Sequence, residues 1–475
     1  MRGRFASILT IAAVGAFLAC SDLKRAEEEP TSPTDDGGNG SEGGGADGNV
    51  DDPSKDASID VGPAPTDFEC NEPWTKVTKT APECAQRVVK VIDEGAPDMT
   101  DVSIARTSVG RVGIAFNAPQ SFDEGEMHFV YFMPSTPSYT TKLIKRPGNF
   151  AFQAGYHVKL ASSDPDTIHI LSHDVDEQVS GDLLHFRLVG GAEPLTDPDV
   201  VLTGLEQKTE IGFAVDSAGN AFATARVKTG TKDGGAPIAK LVARKKAANG
   251  AWGAMPDIAT GLTPNDAFGV GAASLAFDSV GKQNVLFHHA DSQFGSQPLY
   301  HLFDGTLWSP KKTVDNATFD GNSGLSPRLA VHGTQKIAAF FYRKGGQTPA
   351  TATADLRVLK WNAVADKPLT FIVDQGIPSP PTYPQHRVAM AVDKYGLVHL
   401  ATVDPTGAKG TLDYWRETPV SGGGTKWIMD IVDDDVLGAD QDAAVDIVVD
   451  ENARAHIAYR SGKDFKVRYA TRYDR

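Results

Sequence analysis

The sequence is short of cysteine, of long apolar runs, of positive charge and of catalytic signatures. Three cysteines in 475 residues can form at most one disulfide and leave a thiol over. The apolar run from Ala6 to Ala19 is too short to cross a bilayer, and the chain beyond it holds no other membrane-seeking segment. Lys and Arg number 46 against 61 Asp and Glu. Neither half shows the basic face that nucleic-acid binding requires, so nucleic acid is excluded as a partner. No G-x-S-x-G, H-E-x-x-H or Walker-type loop occurs, so no cofactor and no metal are expected. A long helical period is also missing, which leaves strands as the building material.

What is present is a repeat. The stretch "FAVDSAGNAFATAR", Phe213 to Arg226, reads as a strand, a tight Asp-Ser-Ala-Gly turn and a second strand. Nearly the same pattern returns at "LAFDSVGKQNVLFHH", "MAVDKYGLVHLATVD" and "IVVDENARAHIAYRS". Aligned on the turn, Thr107, Ser163, Asp216, Asp278, His332, Asp393 and Asp450 are equivalent, at spacings of 56, 53, 62, 54, 61 and 57 residues. Each interval holds a four-stranded unit with its loops, and self-similarity at that period argues for a propeller or solenoid. The expected fold is all-β, a seven-bladed β-propeller of four-stranded blades, with a six-bladed ring as the alternative. The seventh unit ends after its third strand, "FKVRYATRYDR". Arg87 to Gly95, "RVVKVIDEG", is expected to supply its fourth strand and close the ring, removing the open edges.

The first strand of each unit alternates in size. Ile104, Leu160, Phe213, Leu275, Leu329, Met390 and Ile447 stand three before the turn position; Ala105, Ala161, Ala214, Ala276, Ala330, Ala391 and Val448 stand two before it. Alternate residues face opposite sides of a strand, so the bulky set is expected between blades and the small set around the axis. Four and six before the turn, on the parity of the small set, the residues differ from blade to blade. Asp101, His157, Lys159, Glu210, Arg328, Arg387 and Asp446 are therefore the candidate ligand-binding constellation at the channel mouth. Two arginines there can hold a carboxylate, and Asp101 with Glu210 can serve as a carboxylate pair. Three further histidines, His169, His399 and His456, recur six after the turn and are expected in scaffold packing. The acidic loop within Ile431 to Asp442 (433–442) lacks the Asp-x-Asp-x-Asp-Gly order of a calcium loop and reads as a solvated turn. "HHAD", His288 to Asp291, reads as a strand end.

The N-terminus has Arg2 and Arg4 ahead of its apolar run, the pattern of a secretion signal. "Phe17-Leu18-Ala19-Cys20" resembles a bacterial lipobox, which implies a signal peptide over 1–19, lipidation of Cys20, and, with Ser21 next, the outer membrane. Cys70 and Cys84 are then left as an expected disulfide, permitted in an exported compartment and contributing about 3 kcal/mol on the chain-entropy model. From Ser21 to Thr66 stand 12 Asp/Glu against 3 Lys/Arg, a net −9 of the chain's −15. With many Gly, Pro and Ser, residues 20–66 read as a lipidated Cys20 and a disordered tether. Residues 67–475 form the propeller domain.

The "VD-x-x-G-x-x-H-I-A-Y" cadence resembles the degenerate repeats of bacterial propeller lipoproteins distantly similar to sialidase-type propellers. The turns lack the Ser and Trp of the S-x-D-x-G-x-x-W sialidase turn. The resemblance bears on architecture; the preferred functional reading is a monomeric envelope lipoprotein, on the periplasmic or surface face, whose propeller binds a protein or glycan. The alternatives are a carbohydrate-active hydrolase or lyase at the channel mouth, and an assembly scaffold; the fold hosts any of them.

Overall fold

The computed structural model describes residues 87–472 apart from connecting segments of two to ten residues, the longest being 145–153, 263–272, 344–352 and 379–387. Cys20, Cys70, Cys84 and the tether lie outside the described residues. Among the described residues every regular element is a strand, and the strands form seven antiparallel blades of a β-propeller.

The innermost strands are Val102–Arg106, Ala154–Ser163, Ile211–Val215, Ala273–Phe277, Asn322–His332, Val388–Val392 and Ala444–Val449, heading blades one to seven in chain order. Blade three breaks its fourth strand into Gly253–Ala254 and Ala259–Leu262, and blade four keeps only Lys312–Thr313. A single parallel bridge, Ser296 to Asn322, joins blades four and five into one sheet. Blade seven is completed from the other end of the chain: Arg87–Asp93 pairs antiparallel with Val467–Arg472, in register from Arg87↔Arg472 to Val91↔Arg468. The seven-fold ring and its closing strand are those the repeat implies, and the six-bladed alternative is excluded.

The turn between the first and second strands explains why Asp recurs at the repeat position. In blade three Asp216 Oδ1 accepts the Asn220 N–H at 2.8 Å, and the Gly219 N–H reaches the Asp216 carbonyl at 2.9 Å. Asp278, Asp393 and Asp450 make the same carboxylate-to-amide bond to Lys282, Leu397 and Arg454 at 2.8 to 2.9 Å. Gly219, at φ +86°, supplies the left-handed backbone that closes this turn.

One expectation is corrected. The small residues do not ring the axis: five of the seven pack against the next blade. Ala105 shares a core with Leu160, Ala214 with Leu275, Ala276 with Leu329, Ala391 with Ile447 and Val448 with Ile104. Blade sheets radiate, so both faces of an innermost strand abut neighbours and the axis sees strand edges. A small residue two before the turn makes room for the bulky residue three before the turn of the following blade. The alternation in size is thus a knob-and-recess pattern repeated around the ring.

Candidate functional site

The packing rule places the variable positions. Residues four before the turn share the parity of the small set and reach toward the next blade close to the axis. There they do two different jobs. Asp446 Oδ2 accepts the Ser103 hydroxyl at 2.8 Å and the Ile104 N–H at 3.0 Å, bonding blade seven to blade one. Ser103 Oγ accepts the Leu160 N–H at 2.9 Å, and Ser274 Oγ accepts the Leu329 N–H at 2.8 Å. At these junctions the side chain four before the turn clasps the innermost backbone of the following blade. Gly212 instead lets the blades touch: a Cβ there would stand 2.5 Å from the Ala273 carbonyl oxygen. The clasps were not singled out from sequence, although the recurring Ser and Asp at this position carried the signal.

These junctions surround a cavity of about 210 Å³. His157 and Lys159 of blade two, Glu210 of blade three, Arg328 of blade five and Asp446 of blade seven line it. Thus five of the seven candidate residues converge on one space. Leu160, Phe213, Leu275 and Met390 add apolar wall. Asp101 is not on the wall but is buried beside it, accepting the Lys159 ammonium at 2.7 Å with His157 Nδ1 at 3.6 Å. Arg387 lies outside the described residues.

The electrostatics single out one group. Burial pushes the Glu210 carboxyl above the usual range, against the opposing charges of His157, Arg226, Lys159 and Arg328. Burial likewise raises Asp446, opposed by Lys159, the Ile104 and Ser103 hydrogen bonds, and Arg328. Burial pulls Arg328 below its ordinary value, opposed by Asp446, Asp101 and Glu210; a guanidinium stays charged regardless. Asp446 is engaged in its clasp and Lys159 with Asp101, whereas Glu210 Oε2 is shut off from solvent and has no hydrogen-bond partner among the described residues.

The recurrent histidines lie in separate blades, each in a local network. His399 Nδ1 stands 2.6 Å from the Tyr414 hydroxyl and Nε2 3.3 Å from Asp393; His456 stands 2.6 Å from Tyr469 and 3.5 Å from Asp450. In blade two Ser163 replaces the aspartate and His185 the tyrosine, giving a chain Ser163–His169–His185 at 2.9 and 3.0 Å. Burial, with the charges of Arg187 and Lys246, holds His169 down at about 4, and burial beside His169 holds His185 at about 3. Both are neutral in ordinary buffers. This is scaffold chemistry, and it has a pH signature. Burial raises the Asp450 carboxyl, but the His456 ring and the Arg454 N–H outweigh it and bring the carboxyl to about 2. A depressed carboxylate contributes stability that is present above its ordinary value near 3.8 and is lost as pH falls toward 2. Asp450→Asn, which keeps a turn acceptor, is expected to be less stable than the parent by roughly 2 kcal/mol at pH 6. That difference should close by pH 2 in denaturant titrations.

His288 to Asp291 ends the second strand of blade four. In the acidic loop, Asp433 accepts the Tyr459 hydroxyl at 2.6 Å and Asp435 pairs with Lys463, while 438–442 lie outside the described residues. No three His, Cys, Asp or Glu among the described residues are grouped so as to hold a metal ion.

No family model and no curated protein matches the chain. Among solved structures it is similar to a protein of unknown function from Dyadobacter fermentans, at 11% identity and TM-score 0.41 over 72% of this chain and 99% of that one. It is also similar to the GH93 alpha-L-arabinofuranosidase of Fusarium graminearum, at 10% identity and TM-score 0.48 over 82% and 98%. A Hadza microbial sialidase matches at 10% identity and TM-score 0.44 over 76% of each chain. Overlaps this loose carry no argument about the chemistry of this chain.

Proposed function

We propose that the chain is a binding module that holds an end group of a glycan or protein at its channel mouth, displayed at a bacterial envelope on a tether lipidated at Cys20. The observation that supports binding is the convergence of His157, Lys159, Glu210, Arg328 and Asp446 from four blades on one cavity. Binding is favoured over glycoside hydrolysis because hydrolysis needs two carboxylates at work. Asp446 is engaged in the blade-seven clasp and Asp101 with Lys159, which leaves Glu210 alone.

A second reading, a hydrolase or lyase, is favoured by one feature: a carboxyl raised by burial is the form a general acid takes. The two are separated by capture and turnover assays on the purified domain, using glycan libraries and envelope fractions. Binding predicts capture without turnover, with Arg328→Ala weakening it by about 1–3 kcal/mol, the scale of a lost charged hydrogen bond. Glycan turnover that disappears in Glu210→Gln replaces this reading with the enzymatic one. Capture indifferent to Arg328→Ala moves the site away from the channel.

A further inference from the structure

We infer that the channel cavity takes a small zwitterion, with its ammonium group seated on Glu210 and its carboxylate on the Arg328 side. The inference rests on reading the cavity as a binding site and names its ligand class.

Most of the polar wall groups are already engaged. Ser103 and Ser274 accept backbone amides, Asp446 accepts Ser103 and Ile104, and Lys159 donates to Asp101. Glu210 is the exception, with Oε2 buried and unmatched among the described residues. A buried carboxylate oxygen without a donor is costly, so a ligand that brings a donor there gains more than it would at an exposed site. The sign of the charges selects the donor. A simple amine would meet the field of Arg328, Lys159 and Arg226, the cations that bear on Glu210. A simple anion would meet Glu210 and Asp446, which with Asp101 bear on Arg328. A molecule carrying both charges satisfies both ends and enters neutral overall, so no net charge is moved into the cavity. The apolar wall of Leu160, Phe213, Leu275 and Met390 suits a short methylene stem between them.

Glu210 also supplies a readout that a neutral sugar would not. Burial raises its carboxyl in the free protein, and an ammonium partner lowers it again. The complex therefore binds fewer protons, and affinity for the zwitterion rises as pH rises through the free-state titration of Glu210. The groups that bear on it are His157 and Lys159 from blade two, Arg226 on its own blade and Arg328 from blade five, and Asp446 of blade seven shares its cavity.

The test is calorimetry on the purified propeller with glycine, β-alanine, γ-aminobutyrate and 5-aminovalerate, against butylamine and butyrate. One chain length is expected to bind at least tenfold tighter than either single-charge analogue. Glu210→Gln and Arg328→Ala are each expected to weaken it at least tenfold, with unchanged melting confirming the fold. Glu210→Asp, shorter by one methylene, is expected to move the optimum to the next longer amino acid. Equal binding of zwitterion and single-charge analogues, or binding indifferent to Glu210→Gln, overturns the inference. If saccharides or envelope fractions are still captured in an Arg328-dependent way, the channel-mouth reading survives that loss. If no capture depends on Arg328 either, both fall.

Discussion

Deletion of Arg87–Asp93 is expected to abolish cooperative unfolding and send the protein into aggregates, whereas deletion of Ser21 to Thr66 does neither. The strand lends blade seven its fourth member and hides the outer edge of Val467–Arg472. Without it that edge presents a row of unpaired backbone groups, a template for pairing with other chains. The strand also contributes to two cores on opposite faces of the blade: Ile92 belongs to the one shared with blade one, and Val89 packs on the one shared with blade six. Burial of such a side chain contributes about 1.5–3 kcal/mol, to which the lost ladder adds. The total is comparable with the roughly 5–15 kcal/mol by which a domain is stable, so the ring is expected to open rather than weaken. Size-exclusion chromatography and thermal unfolding decide the matter. A monomer with a single transition near that of the parent would show that blade seven stands on three strands.

The ring was readable from sequence because every blade repeats the same local chemistry. An Asp or its substitute opens the turn, Gly219 and its equivalents close it, and counting these turns counts blades. The alternation of Ile104 with Ala105, or Leu275 with Ala276, was equally visible, yet its meaning was not. Parity says that two residues face opposite ways; it does not say what either face meets. In a propeller both faces meet neighbouring blades, which is why Ala105 lies against Leu160 rather than on the axis. The candidate site followed a similar course. Variation at equivalent positions brought out His157, Lys159, Glu210, Arg328 and Asp446, and the cavity gathers all five. Their division of labour depends on blade-to-blade distance, which no single strand encodes. Hence Ser103 and Ser274 passed as neutral, and Asp446 stood as a ligand group although its carboxylate holds the ring together.

That division gives the second large effect, a contrast between two carboxyls on one cavity wall. Asp446→Ala removes the acceptor of the Ser103 hydroxyl, the Ile104 N–H and the Ile447 N–H, which bonds Oδ1 at 3.0 Å. It leaves a buried amide unmatched at the junction of blades seven and one. At about 1–3 kcal/mol for such a group, plus the lost bonds, the expected cost is about 3 kcal/mol. Ser103→Ala, which strands the Leu160 N–H, is expected to cost about 1–2 kcal/mol. The double variant should fall short of the sum, because the two side chains bond each other. Glu210→Gln is expected to do the opposite. Its carboxyl is raised by burial, so the folded state favours the protonated form and loses stability as pH rises through that titration. Glutamine keeps the shape and drops the charge, leaving stability at neutral pH equal to the parent's or above it. Denaturant unfolding at pH 7 measures all four proteins on one scale. If Glu210→Gln is as destabilising as Asp446→Ala, then Glu210 is a clasp as well, and the cavity keeps no carboxylate for a ligand.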